Sequence, residues 1–202
     1  MISRFRSLDF KVLLILALSV LGIRLAGLWL SGRQNRPQDH NPVVTTEAKN
    51  PYLGLRSQIL ELKRQKIGLA APAKPTEPWA AVMDWSVTNG TATVVAISDG
   101  TASIYLSSGG GSIGGGQSHD SIRKAAQKMV SVAGEFQSQM LATSTYPLPQ
   151  RGQVTFYVLT DAGVFTASVP QDELSSYRHP LSKLGDAAQE IITQYRLIEK
   201  KK

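Results

Sequence analysis

An apolar run near the N-terminus, residues 12–30, contains a single charged residue, Arg24. A helix rises about 1.5 Å per residue, so this run covers nearly the whole ~30 Å hydrocarbon core of a bilayer. Trp29 suits the far interface, where its ring stays apolar and its N–H stays hydrated, and Lys11 flanks the near end. We therefore predict that residues 12–31 form a transmembrane helix.

Arg24 is the charged residue of the predicted span. It lies near the end of the run, so its long stem can carry the guanidinium toward the far head groups. Pairing with an acidic residue on a partner helix is the alternative. A cleaved signal peptide is a competing interpretation, with Arg4, Arg6 and Lys11 as its basic start. No small-x-small pair follows the apolar stretch, which favours a retained anchor.

The basic residues on the two sides of the span are balanced in number, with three in residues 1–11 and three in residues 32–50. A short basic tail ahead of a signal-anchor usually stays inside the cell. We therefore predict a single-pass membrane protein that has residues 1–11 as a basic tail. Its C-terminal domain is expected on the non-cytoplasmic side.

The formal net charge of +7 is concentrated beside this run. Residues 1–78 contain 12 Lys and Arg against 5 Asp and Glu, whereas residues 79–202 contain 10 of each. A basic stretch beside a membrane span is attracted to anionic head groups by about 1 kcal/mol per residue close to the surface. The charge therefore indicates a lipid bilayer as partner and argues against nucleic-acid binding.

Cysteine is absent from the chain, which excludes disulfides, thiolate nucleophiles and Cys-type zinc sites. His40 and His179 lie far apart in linker-like stretches and form no metal-ligand spacing with each other or with carboxylates. We therefore predict neither a metal site nor a cofactor.

Residues 32–78 are predicted to form a linker, because polar and proline-containing stretches stand at both of its ends. Between them, Asn50-Pro51 is a typical helix start, and apolar residues recur at helical spacing between residues 55 and 62. We predict a short basic amphipathic helix near residues 51–67. It either lies on the membrane surface or packs on the domain that follows.

Residues 79–202 are predicted to form a globular domain that begins with two hairpins. The dipeptides Asn89-Gly90 and Asp99-Gly100 tolerate the positive φ of a type I′ turn, whose twist matches that of the flanking strands. The pattern predicts a three-stranded antiparallel meander with strands over residues 79–88, 91–98 and 101–107. Met83 and Trp85 share one face of the first strand.

Two helices and two further strands complete the domain. Apolar spacing predicts helices over residues 119–141 and 180–199 and strands over residues 153–160 and 164–169. The order βββ-α-ββ-α predicts an α+β fold, a two-layer domain in which two helices cover a five-stranded antiparallel sheet. In outline this order resembles profilin-like and roadblock-like domains, a likeness of element order that implies no function.

A glycine tract, residues 107–118, joins the third strand to the first helix of this domain. Its backbone N–H groups and the following helix N-terminus could hold a small anion. The candidate ligand-binding residues are Gly109, Gly110, Gly111, Gly114, Gly115, Gly116 and Ser118. A G-x-G-x-x-G match lacks a surrounding βαβ unit, and Gln117 stands where a phosphate loop needs Lys. A flexible connection and a close approach of the backbone are the other interpretations.

No arrangement of residues predicts catalysis. Ser118, His119 and Asp120 are adjacent along the chain and point in different directions, so they cannot form a hydrogen-bonded relay. Ser118 or Asp120 is instead predicted to cap the helix that follows. Asp84 lies on the strand face opposite Met83, and we expect that face to be solvated.

These observations predict a protein that is not an enzyme. The leading hypothesis is a single-pass membrane-anchored accessory or assembly protein that acts through protein–protein contacts of its small domain, in a membrane complex or a homo-oligomer. The alternative is a membrane-tethered sensor or binding module. It would hold a small anionic ligand at residues 109–116 and the N-terminus of the following helix.

Overall fold

The computed structural model of the chain describes residues 51–200. The predicted anchor, with Lys11, Arg24 and Trp29, lies outside the described residues, as does the basis for its predicted orientation. Among residues 51–200, no helix is long and apolar enough to cross a bilayer.

The described residues form an α+β domain, as predicted. Its strands are β1 (Ala80–Val87), β2 (Gly90–Ile97), β3 (Ala102–Leu106), β4 (Gly111–Ile113), β5 (Leu141–Thr143), β6 (Gln153–Thr160) and β7 (Gly163–Pro170). Its helices are α1 (Pro51–Leu60), α2 (Asp120–Phe136), α3 (Gln171–Ser175) and α4 (Ser182–Glu199). Three short 3-10 turns accompany them, at Arg64–Ile67, Gly115–Gln117 and Gln137–Gln139.

The strands form one antiparallel sheet in the order β4-β3-β2-β1-β6-β7-β5. The predicted antiparallel sheet is therefore confirmed, but the count of five strands is wrong. Strands β4 and β5, one at each edge, are three residues long. Such short strands carry too few residues for an alternating pattern, and β4 lies inside the glycine tract.

The two hairpins of the meander are confirmed, but their predicted type I′ turns are wrong. Within residues 51–200, Tyr177 is the one non-glycine residue with a positive φ, so Asn89 and Asp99 do not take the I′ conformation. In the second hairpin, Gly100 (φ 91°) donates its N–H to the carbonyl of Ile97 at 2.8 Å. A three-residue loop that ends in a positive-φ glycine connects these strands.

One face of the sheet, which we call the helix face, is covered by α2 and α4. The apolar stripes predicted for both helices are the buried ones, at Ile122, Ala126, Met129, Ala133 and Phe136 in α2 and at Leu184, Ala188, Ile191 and Tyr195 in α4. The sheet contributes the alternate residues that share their strand face with Met83. Burying one large apolar side chain stabilises the fold by roughly 1.5–3 kcal/mol, so this layer is the main core.

Helix α2 begins at Asp120 and ends at Phe136, earlier than predicted, because a 3-10 turn and strand β5 follow. His119 is its N-cap residue, and no described side chain caps its first turn. The predicted capping by Ser118 or Asp120 is therefore wrong. Asp120 instead pairs with Arg123 one turn along the helix.

The opposite face of the sheet, which we call the α1 face, is covered in part by residues 51–69. Helix α1 packs against it through four buried residues: Tyr52, Arg56, Ile59 and Leu60. Of the two positions left open for this helix, the membrane surface and the domain, the structure shows it on the domain. The sheet therefore carries packed segments on both faces, one layer more than predicted.

Candidate functional site

Two segments cross the α1 face and determine what it leaves open. One is residues 51–69, and the other is the loop 144–150, which returns from the edge strand β5 to β6. Tyr146 of this loop stands edge-to-face against Tyr157 of β6, with ring centroids 5.7 Å apart. The Tyr157 hydroxyl donates to the carbonyl of Pro147 at 2.7 Å. These contacts hold the loop against the sheet.

A buried ion pair joins α1 to the centre of the sheet. Arg56 is 4% exposed, and Asp84 on β1 is 0% exposed. Nε and Nη2 of Arg56 donate to Oδ2 of Asp84 at 2.8 and 2.6 Å. Charges taken out of water are tolerated only when they are paired and hydrogen-bonded, so each of these side chains needs the other. The predicted solvated setting of Asp84 is wrong, because α1 covers its face of β1.

Hydroxyl groups complete the hydrogen bonding of the Asp84 carboxylate. Thr93, directly opposite on β2, donates to Oδ1 at 2.5 Å, and its own Oγ1 lies 2.9 Å from the Tyr52 hydroxyl. Burial raises the pKa of Asp84 against the opposing effects of Arg56 and Thr93. Burial acts to lower the pKa of Arg56, but its hydrogen bond to Asp84 and the charge of that carboxylate outweigh burial and raise it.

The other N–H groups of Arg56 bind the loop 144–150. Nη1 donates to the carbonyl of Tyr146 at 2.8 Å, and Nη2 donates to the carbonyl of Pro147 at 3.1 Å. The guanidinium also stands 5.6 Å from the ring centroid of Tyr157. One planar group with five donors therefore joins α1, β1 and the loop at a single point, and its role is to position them.

A second arginine fastens the segment that follows α1. Arg64 donates from Nε and Nη2 to the carboxylate of Asp161, in the β6–β7 turn, at distances of 2.8 and 3.0 Å. Its Nη1 donates to the carbonyl of Leu69 at 2.6 Å. The hydrogen bond from Arg64 holds the pKa of Asp161 below its ordinary value. Residues 51–69 are therefore fixed to the sheet at two charged points.

An open groove of about 520 Å³ lies on the α1 face between the loop 144–150 and strands β5, β6 and β7. None of the described residues that line it is charged. Two of them are exposed apolar side chains, Leu141 on β5 (76% exposed) and Leu148 in the loop (44% exposed). We call this feature the uncharged groove. It combines solvent-accessible apolar side chains with a sheet edge.

A second cavity on the α1 face, of about 590 Å³, has a different character. It lies at the C-terminal end of α1 and is lined by Glu61, Lys63, Arg64 and Asp161 among others. Since Arg64 and Asp161 are paired with each other, this cavity is part of the attachment of residues 51–69. The uncharged groove is therefore the clearer candidate for contact with another molecule.

The glycine tract proposed as an anion site is built into the fold. It forms a turn, strand β4 and a 3-10 turn before α2 begins. The N–H of Gly109 donates to the Leu106 carbonyl, that of Gly114 to Ser103 Oγ at 3.2 Å, and that of Gly115 to Tyr195 Oη at 2.9 Å. The N–H of Ser118 donates to the carbonyl of Gly115 at 3.3 Å. Anion binding at Gly109, Gly110, Gly111, Gly114, Gly115, Gly116 and Ser118 stays a prediction.

Close packing accounts for several of these glycines. A Cβ on Gly116 would lie 1.8 Å from the Gly100 carbonyl oxygen, and one on Gly111 would lie 2.2 Å from that of Ile104. A Cβ on Gly115 would meet the Tyr195 hydroxyl at 2.4 Å. Of the interpretations left open, the close backbone approach describes these positions.

The described residues offer little else for chemistry. Among residues 51–200, no three His, Asp or Glu side chains are grouped to hold a metal ion. Ser118 and His119 lie at the start of α2 without forming a relay, since Asp120 pairs with Arg123. The membrane-contacting predictions for Lys11, Arg24 and Trp29 fall outside the described part of the chain.

Sequence reasoning missed the Arg56–Asp84 pair, although one signal for it exists. Residues 80–83 of β1 are all apolar, which is typical of a strand buried on both faces. Asp84 shares its face with Val82, so it had to lie on a covered face and needed a cationic partner. Nothing in the sequence pattern identified that partner as Arg56, 28 residues earlier.

Comparisons with known protein families, with curated proteins and with solved structures give no match.

Proposed function

We propose that the chain is a single-pass membrane-anchored accessory or assembly protein that acts through protein–protein contacts of its small α+β domain. In this proposal, residues 12–31 hold it in a bilayer, with the domain on the non-cytoplasmic side. The domain contributes a contact surface rather than a reaction.

The observation that carries this proposal is the uncharged groove on the α1 face. Leu141 stands 76% exposed on an edge strand, beside a concave surface whose described lining bears no charge. Protein-interaction surfaces differ from ordinary surface in that charged residues are depleted at their centre. A stable partner would remove Leu141 and Leu148 from water and supply the missing cover.

The arrangement of α1 supports the same proposal. Helix α1 is the first described element, and it packs on the face that carries the groove. Through Arg56 it also holds the loop 144–150, which forms one wall of the groove. The segment nearest to the proposed anchor therefore helps to build the proposed contact surface.

Purification of the full-length chain from its own membrane in mild detergents tests the proposal. We expect its mass, measured by light scattering, to exceed that of the monomer by a stoichiometric partner. The double variant Leu141→Asp/Leu148→Asp should release the partner, whereas Leu197→Asp, at an α4 residue with 46% exposure, should retain it. A lone monomer in every mild detergent would contradict the proposal.

A further inference from the structure

The uncharged groove continues into an open sheet edge. Within residues 51–200, β5 pairs on one side only, with β7, through the registers Leu141↔Thr166, Ala142↔Phe165 and Thr143↔Val164. Its outer edge therefore presents main-chain N–H and C=O groups to which no described strand is bonded. An extended peptide can pair with such an edge and become an additional strand.

The hydroxyl groups on the floor of the groove are already hydrogen-bonded inside the domain. Thr155 Oγ1 and Ser168 Oγ lie 3.0 Å apart, and Thr166 Oγ1 donates to the Phe156 carbonyl at 2.9 Å. The Tyr157 hydroxyl donates to the Pro147 carbonyl. Polar recognition of a ligand must therefore come mainly from the main chain at the edge of β5.

The lining also restricts the charge of an occupant. A charged side chain that entered the groove would lose hydration and find no opposite charge among the described lining residues. An uncharged segment avoids this cost and can place apolar side chains against Leu141 and Leu148. Alternate residues of an added strand point to the same face of the sheet, so every second residue would lie beside the groove.

The wall of the groove is fixed before any ligand arrives. Arg56 binds the carbonyls of Tyr146 and Pro147, and Tyr157 binds the latter as well. A preformed surface does not have to be ordered at the moment of binding, which favours affinity. The proline residues of this loop add stiffness, because their φ angles are restricted.

These observations point to one kind of ligand. We propose that the uncharged groove and the outer edge of β5 together bind an extended, uncharged segment of a partner protein, which pairs with β5 as an additional strand. The inference rests on the proposed function and specifies how the partner is held.

A random-peptide library panned against the full-length, detergent-solubilised chain tests this mode of binding. We expect the enriched peptides to be uncharged and to alternate apolar residues. Leu141→Asp and Leu148→Asp should each weaken their binding by at least about tenfold. The matched variants Tyr177→Asp and Leu197→Asp, at residues with 70% and 46% exposure away from the groove, should leave binding unchanged.

Amide hydrogen exchange on the same complexes reports the added strand itself. Exchange at residues 141–143 should slow when an enriched peptide binds, because the outer edge of β5 gains hydrogen bonds. Unchanged exchange there, enrichment of charged peptides, the absence of enrichment, or equal loss of binding in Leu197→Asp would overturn the inference. Self-association of the chain through the same edge would also overturn it.

Failure here is distinguishable from failure of the proposed function. A stoichiometric complex that persists while residues 141–143 keep their exchange rates would leave an assembly role standing and remove strand addition. A monomer without partners would remove both.

Discussion

The two faces of the sheet are held by different forces. The helix face is closed by apolar side chains of α2 and α4, and its core cluster contains hydrophobic residues throughout. The α1 face combines a smaller apolar cluster with two ion pairs, Arg56–Asp84 and Arg64–Asp161, and it leaves an open groove.

This difference separates stability from specificity. Apolar burial is non-directional and scales with area, so the helix face can supply most of the folding free energy. A buried ion pair adds little net stability over a well-packed apolar pair, but it tolerates only one arrangement of its partners. The α1 face therefore fixes the position of α1 and of the loop 144–150, which is what a contact surface requires.

Removal of one partner of the buried ion pair should have the largest effect. We expect Arg56→Met to lower the free energy of unfolding by about 3–5 kcal/mol, because Asp84 is left as a buried, unpaired carboxylate. The loss should shrink as the pH falls, since a protonated Asp84 no longer carries the charge. Urea unfolding of the solubilised chain, followed by tryptophan fluorescence, measures both effects.

The double variant Arg56→Met/Asp84→Leu is the matched control for that prediction. It removes both charges and should recover most of the lost stability, because an apolar pair of similar volume replaces the ion pair. Equal destabilisation in the single and double variants would mean that Asp84 does not depend on Arg56.

The packed glycine tract should give the next largest effect. We expect Gly116→Ala to cost about 1–3 kcal/mol, since its Cβ would meet the Gly100 carbonyl oxygen and force the backbone to shift. Gly152→Ala has no atom within 4 Å of the new Cβ and separates this contact from the strain of a positive φ, which it alone carries (76°). Thermal unfolding of the two variants compares these costs. Wild-type stability of Gly116→Ala would show that the tract is flexible.

A volume-conserving substitution on the helix face should be cheaper. Met129 is fully buried among apolar neighbours, and we expect Met129→Leu to cost less than about 1.5 kcal/mol. Arg56→Lys, an equally modest change on the α1 face, should cost more, because a lysine cannot bind Asp84 and both loop carbonyls with one planar group. Similar losses in the two variants would remove the distinction between the faces.

The smallest predicted effect is the acid dependence of the Arg64–Asp161 pair. Its hydrogen bond lowers the pKa of Asp161 below 3.8 in the folded state. The pair therefore stabilises the fold above pH 3.8, and its contribution is lost as the pH falls through the lowered folded value. Asp161→Asn should flatten this part of the stability–pH curve, and an unchanged curve in that variant would contradict the assignment.

The helix face could be predicted because its information is local. Spacings of three and four residues in α2 and α4, and alternation around Met83, identify buried positions directly from the sequence. Glycine-containing turns gave the hairpins, although not their turn type. Edge strands β4 and β5 were missed because three residues carry no readable period.

The α1 face could not be predicted because its contacts join residues that are distant along the chain. Arg64 and Asp161 are separated by 97 residues, and Arg56 reaches loop carbonyls 90 and 91 residues away. A charged residue is normally expected at the surface, which concealed both Arg56 and Asp84. The uncharged groove depends in turn on where Arg56 holds the loop.

Site-specific photo-crosslinking in the native membrane tests the central claim, that this face binds a partner protein. A benzophenone amino acid replaces Leu141 or Leu148 in the full-length chain, with Tyr177 and Leu197 as control positions of similar exposure. The account predicts crosslinks to another polypeptide from positions 141 and 148 and none from positions 177 and 197. Crosslinks from the control positions alone, or equally from all four, would contradict it.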